Sequence, residues 1–190
     1  MIDEYLEVAD VGEAALCISE LSAALEAHDG HAPLVEQLVN KALEGSERQR
    51  DLVALLLGAL VEKEQLSAAR VEAGWALSLE FAEDLQLDIP KVAGFYGAML
   101  GASALAGALP LSYVVRGTEH LVECGMASSV VGSALQLVAA RLPDAAAARA
   151  MVGGAAIDAT KLLVADASMG AWLERHGIAE LGAELGDTDI

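Results

Sequence analysis

The sequence predicts an all-α fold, a HEAT-like solenoid of stacked antiparallel helical hairpins. Three observations carry that reading. Ala, Leu, Glu and Val dominate a chain that is 55% hydrophobic but only 4% aromatic, a mixture that favours helix over strand. Apolar residues recur at three- and four-residue spacing in segment after segment, and no run alternates with the two-residue period of a strand. Short matches also repeat at an offset of 43 residues: Leu57-Gly58-Ala59 returns as Leu100-Gly101-Ala102, and Leu66, Val71 and Gly74 return as Leu109, Val114 and Gly117. That offset falls within the period of HEAT and armadillo arrays, about 40–47 residues, where each hairpin buries its neighbour's apolar face.

The elements follow in order. Asp10-Val-Gly-Glu13 reads as a capping box ahead of Ala14, Cys17, Ile18, Leu21 and Leu25, which share one face. A turn, His28-Asp-Gly-His-Ala-Pro33, comes next, its two histidines read as solvated. Pro33 suits the first position of a helix carrying Leu34, Val35, Leu38, Val39 and Ala42. Ser46-Glu-Arg-Gln49 is a second capping box, before the stripe Val53, Leu56, Leu57, Leu60 and Val61. Ser67 caps a helix that turns Val71, Trp75, Ser78, Leu79 and Ala82 inward. Further helices are expected from Pro90 through Leu100, from Pro110 to about Cys124, and from Ser128 or Ser129 to Arg141. Pro143 begins another, which Gly153-Gly154 interrupts before residues 157–164, and a short helix surrounds Trp172 and Leu173. In this reading residues 1–185 make one helical domain and residues 186–190 a frayed tail.

Charge narrows the function. Against 29 acidic residues stand 11 basic ones, for a formal net charge of −18. Such a field repels nucleic-acid backbones and anionic lipid, and attracts a basic protein surface. Two cysteines, Cys17 and Cys124, make no disulfide framework and point to a reducing, cytoplasmic setting. The acidic start, MIDEYLEVAD, is not a signal peptide. The 24 uncharged residues from Val92 to Val115 have the length of a membrane span. Six Ala, four Gly, two Ser, two Tyr and Pro110 leave only nine strongly apolar side chains there, which argues for close soluble packing around Gly97 and Gly101 instead.

Reactive constellations are sparse. His120 and Cys124 share the four-residue spacing of two metal ligands, but no second pair accompanies them, and a half-buried His beside a core Cys is the plainer reading. No nucleophile elbow, zincin or P-loop pattern occurs, so neither an enzyme, a cofactor nor a metal is expected. The run Glu83-Asp-Leu-Gln-Leu-Asp-Ile-Pro-Lys91 is the one concentrated chemical feature. Its carboxylates suggest an acid/base pair without a cleft to shift one pKa, or a calcium loop without the ladder of ligands calcium needs. Taken alone, the run reads as a solvated helix junction, with acidic groups near the positive end of the helix that Pro90 opens.

The longer stretch LSAARVEAGWALSLEFAEDLQLDIPK resembles the signature of the MA-3 domain, a HEAT-like helical module of translation factors. In that family a helix leads into an acidic D-x-x-x-D-[IVT]-P step. The amino-terminal EYLEVADVGEAALCISEL is similar to the family's opening pattern, and the correspondence runs from Glu4 to about Val115, weakening after Met126. The extra carboxy-terminal helices and the length look most like the MA-3 domain of initiation factor 4G scaffolds. The resemblance implies a module, monomeric within a larger scaffold, that docks the DEAD-box RNA helicase initiation factor 4A during cap-dependent initiation. It assigns the contacts to Asp84 and Asp88, with Pro90 fixing the turn and Glu83 and Lys91 beside them. A helicase inhibitor resembling the programmed cell death 4 protein, and a generic HEAT-type scaffold with no helicase partner, are the alternative readings.

Overall fold

The computed structural model describes residues 1–27, 30–163 and 168–186. Among them every regular element is a helix, and no strand occurs. The chain forms two compact units: Met1–Ala82 with Ala102–Leu109, and Glu83–Gly101 with the chain from Pro110 on.

The first unit holds α1 (Ile2–Val8), α2 (Val11–Glu20), α3 (Ser22–Ala27), α4 (His31–Leu43), α5 (Glu47–Glu62) and α6 (Ala68–Glu80). Three of the predicted caps are realised, that of Asp10 as a single bond and not a reciprocal box. Asp10 accepts the Glu13 amide at 2.9 Å, Ser67 accepts that of Arg70 at 3.3 Å, and Ser46 and Gln49 close a reciprocal box. Each cap satisfies donors that the first helical turn leaves orphaned, an effect of about 1 kcal/mol. α4 packs on both α5 and α6, and α5 on α1 and α2, so each helix buries the stripe of its neighbours. Leu38, Leu56, Leu57, Leu60, Trp75 and Leu79 are fully buried.

Gly74 sets the approach of α6 to α4, because a Cβ there would overlap Val35 and lie 2.7 Å from the Ala32 carbonyl. Ser78 donates to Asn40 Oδ1 at 2.5 Å across the same pair, and Arg70 holds Glu26 through two bonds of 2.7 Å. α1 is pinned by the Tyr5 hydroxyl, which donates to the Leu52 carbonyl at 2.6 Å, and by Lys41 against Asp3 at 2.9 Å. Burial pushes the Tyr5 pKa up to about 12.

The second unit takes in nearly all of α7 (Ala82–Asp88) and the first part of α8 (Val92–Leu105), then α9 (Tyr113–Arg116), α10 (Met126–Arg141), α11 (Ala145–Gly154) and α12 (Met169–His176). Among the described residues 3-10 helices lie between them at Glu119–Leu121 and Ala159–Leu162 and after α12 at Ala179–Leu185. Gly97 and Gly101 lie against the backbone of α10 at Val130 and Ala134, the close small-residue packing the sequence suggests. Among the described residues no helix is long and apolar enough to cross a membrane. α8 has 14 residues and the chain leaves it through Gly107, at φ +74°.

Several expectations are corrected. The helix expected from Pro110 to Cys124 is only the four-residue α9 and a 3-10 turn. Thr118 is part of the reason, since its hydroxyl bonds back to the Val114 carbonyl at 2.8 Å where Gly117 already weakens the helix. Cys124 is exposed in a turn and donates to the Leu121 carbonyl at 3.2 Å, and His120 is exposed in the 3-10 helix before it, so the pair shares no α-helix and neither residue is core. α10 starts at Met126 behind Gly125 at φ 75°, ahead of both serines proposed as its cap. α4 begins at His31, with Pro33 inside its first turn, and α8 begins at Val92, two residues after Pro90. Gly153-Gly154 ends α11, and a 3-10 helix follows where a longer helix was expected. His31 is buried rather than solvated; His28 lies outside the described residues, as do residues 187–190 of the expected tail.

Candidate functional site

The acidic run is a helix in its own right. After α6 the chain breaks at Phe81, whose φ of −101° and ψ of 9° are not helical, and resumes as α7, Ala82–Asp88. Asp84 and Asp88 therefore stand one turn apart on a single element, where the sequence placed them at a junction. Asp88 is its last residue and not a residue of the next helix's first turn. The Ile89 amide closes α7 on the Leu85 carbonyl at 2.8 Å, and the Val92 amide bonds to the Ile89 carbonyl at 2.9 Å. Pro90 occupies the turn between those bonds, where its missing N–H costs nothing. Lys91 precedes the first residue of α8, and its carbonyl accepts the Phe95 amide at 3.1 Å.

At about 100° per residue, Glu83, Asp84, Leu87 and Asp88 share one face, while Ala82, Leu85 and Ile89 share the other. Burial follows that division. Ala82 is buried and Leu85 and Ile89 are half-buried, whereas Glu83, Asp84, Asp88, Pro90 and Lys91 are all exposed. Among the described residues, the side chains of Glu83, Asp84, Asp88 and Lys91 make no hydrogen bond or ion pair.

Sequence reasoning missed Leu87. At 86% exposure it is the most exposed large apolar side chain among the described residues, and it stands between the two aspartates on the outward face. The signal was available in principle: in a helix over this run Leu85 turns inward, and Leu87 then has to turn out.

Local electrostatics oppose this arrangement. Like charges four residues apart on a helix cost about 0.2–0.5 kcal/mol. A carboxylate at the helix C-terminus adds about 0.3–1 kcal/mol more, because it faces the negative end of the dipole. Only Glu83 and Asp84, in the first turn, sit where the dipole favours them. A short outward helix that keeps an unfavourable acid and a bare leucine violates local rules in the manner of a surface kept for something else.

Stacked short helices with an outward acidic element place the molecule among helical-repeat proteins. Its family is more definite: the model of the MA3 domain matches residues 1–110, and the chain belongs to that family. It is 31% identical over 139 residues to eukaryotic translation initiation factor 4 gamma 3 of Mus musculus, covering 73% of this chain and 8% of that protein. It is 31% identical over 146 residues to eukaryotic translation initiation factor 4G of Triticum aestivum, covering 72% of this chain and 10% of that one. Against MA3 domain-containing translation regulatory factor 3 of Arabidopsis thaliana the identity is 26% over 121 residues, with 64% and 16% covered. The chain thus spans a small fraction of the length of these relatives.

Proposed function

We propose that the chain is a protein-binding module of a translation initiation scaffold, and that it docks the DEAD-box helicase initiation factor 4A through α7. It is not an enzyme in this reading, it works in the cytoplasm as one domain over residues 1–185, and it holds no RNA itself. Asp84 and Asp88 accept charge-assisted bonds from Arg or Lys of the helicase. Pro90 holds the turn beneath them, so little ordering entropy is lost on docking. Glu83 and Lys91 flank the contact. Leu87 fills an apolar recess between the partner's cations, the arrangement of an anchor ringed by charge.

One observation carries the proposal above the others: two unpartnered carboxylates and a leucine at 86% exposure lie on one face of a seven-residue helix. Family membership and similarity to initiation factors 4G support the choice of partner. The test is to titrate the isotope-labelled chain with unlabelled initiation factor 4A and follow its amide resonances. Perturbations centred on residues 83–91 are expected. Perturbations confined to other helices would reject the site, and none at all would reject the partner.

A further inference from the structure

A second surface of the first unit, the cleft between α1 and α2, takes no part in the α7 site. α1 and α2 meet at Ala9, which adopts the left-handed conformation at φ 63° and turns the chain between them. The helices open a cleft of about 110 Å³. Its floor is apolar, with Tyr5 and Ala14 buried and Cys17 half-buried beneath, and one wall is Val8, 67% exposed. Its rim carries the exposed carboxylates of Glu4 and Glu13 together with Asp10, with Met1 beside them and no Lys, Arg or His side chain in the lining. The volume is below the roughly 150 Å³ of an engineered apolar cavity that binds benzene, and matches one aliphatic side chain.

Charge decides the class of occupant. A second copy of this chain brings another −18 charges, and nucleic acid and anionic lipid are repelled in the same way. What complements an apolar seat with an acidic rim is a segment that carries an aliphatic side chain flanked by Lys or Arg. We infer that the α1–α2 cleft is a second protein-docking site, which seats one Leu-type side chain of a basic amphipathic segment while Glu4 and Glu13 hold its flanking cations. It is independent of the helicase reading, since neither residue belongs to α7.

The two cysteines provide the assay. Cys17 lies in the cleft, and Cys124 is exposed in the other unit, where it serves as an internal reference. The probe is a synthetic Leu/Lys amphipathic helix added to the whole chain while thiol alkylation is followed at each cysteine. At a peptide concentration about ten times its Kd, Cys17 alkylation is expected to slow about tenfold while Cys124 is unaffected. The double variant Glu4→Gln, Glu13→Gln and the single variant Val8→Ser should each lose most of that protection, and Asp84→Ala should keep it. Equal protection of both cysteines, or of neither, would overturn the inference. So would equal protection by a Ser/Lys peptide, which would mean that charge alone attracts the probe.

Discussion

Asp88 and Asp84 carry the same side chain at opposite ends of one helix dipole. Neutralising them should move stability in opposite directions. Asp88→Asn removes a charge from the unfavourable end and one partner of a repulsive pair, so it should raise stability by about 0.5–1 kcal/mol. For Asp84→Asn the lost dipole interaction and the relieved repulsion nearly cancel, leaving stability within about 0.5 kcal/mol of the parent. Chemical denaturation of the two variants side by side measures this. A gain in stability at Asp88 coupled to weaker helicase binding is the exchange expected of a residue kept for function.

His176 offers a pH prediction at the same scale. Its ring lies over Gly132, tilted against Trp172 at 5.5 Å between centroids. Burial, and then the neighbouring Arg175, hold its pKa below the ordinary value of 6.5. The unfolded chain therefore binds the proton more readily, and stability falls as pH drops through 6.5 toward the lower folded value. His176→Gln should remove that part of the acid sensitivity, read as a smaller shift in denaturation midpoint between about pH 7.5 and about pH 5.5. An unchanged shift in the variant would assign the sensitivity to the carboxylates.

Among the helices, those with a full amphipathic stripe and a recognisable cap were legible in the sequence. α2, α5 and α6 begin where Asp10, Ser46 and Ser67 announce them, because cap chemistry is local. α7 was not legible as a helix: seven residues hold less than two turns of pattern, and Glu83, Asp84 and Asp88 look like loop as readily as like an outward face. The expectation at Pro110 failed because a proline permits a helix to start without deciding how far it runs. The 43-residue echo was partly informative. Gly58 and Gly101 both mark close approaches, to Ala106 and to Ala134, but the 13 residues of α6 have only the four of α9 as their counterpart. Close approach also yields a prediction. Gly74→Ala gains up to about 1 kcal/mol of helix propensity. It loses more, about 1–3 kcal/mol, through overlap with Val35 and the Ala32 carbonyl of α4. A lowered thermal midpoint is expected, and a raised one would mean that α4 yields easily.

For the molecule as a whole, composition excluded more than it identified. A net charge of −18 weighs against nucleic acid and anionic membranes as direct partners but names no protein. The short acidic motif supplied the family, which the match over residues 1–110 bears out. Such a charge should speed encounter with a basic helicase surface, so the association rate should fall as ionic strength rises past about 0.1 M, where the Debye length is about 10 Å. Stopped-flow mixing across a salt series measures that slope, and a flat slope would mean that the field does not steer docking.

The most direct measurement is calorimetric titration of initiation factor 4A with the parent chain, Asp84→Ala and Asp88→Ala, each first shown to be folded by its helical circular dichroism. If α7 grips the helicase through both carboxylates, each substitution should weaken binding by about 2–5 kcal/mol. Affinities equal to that of the parent in both folded variants would contradict the account.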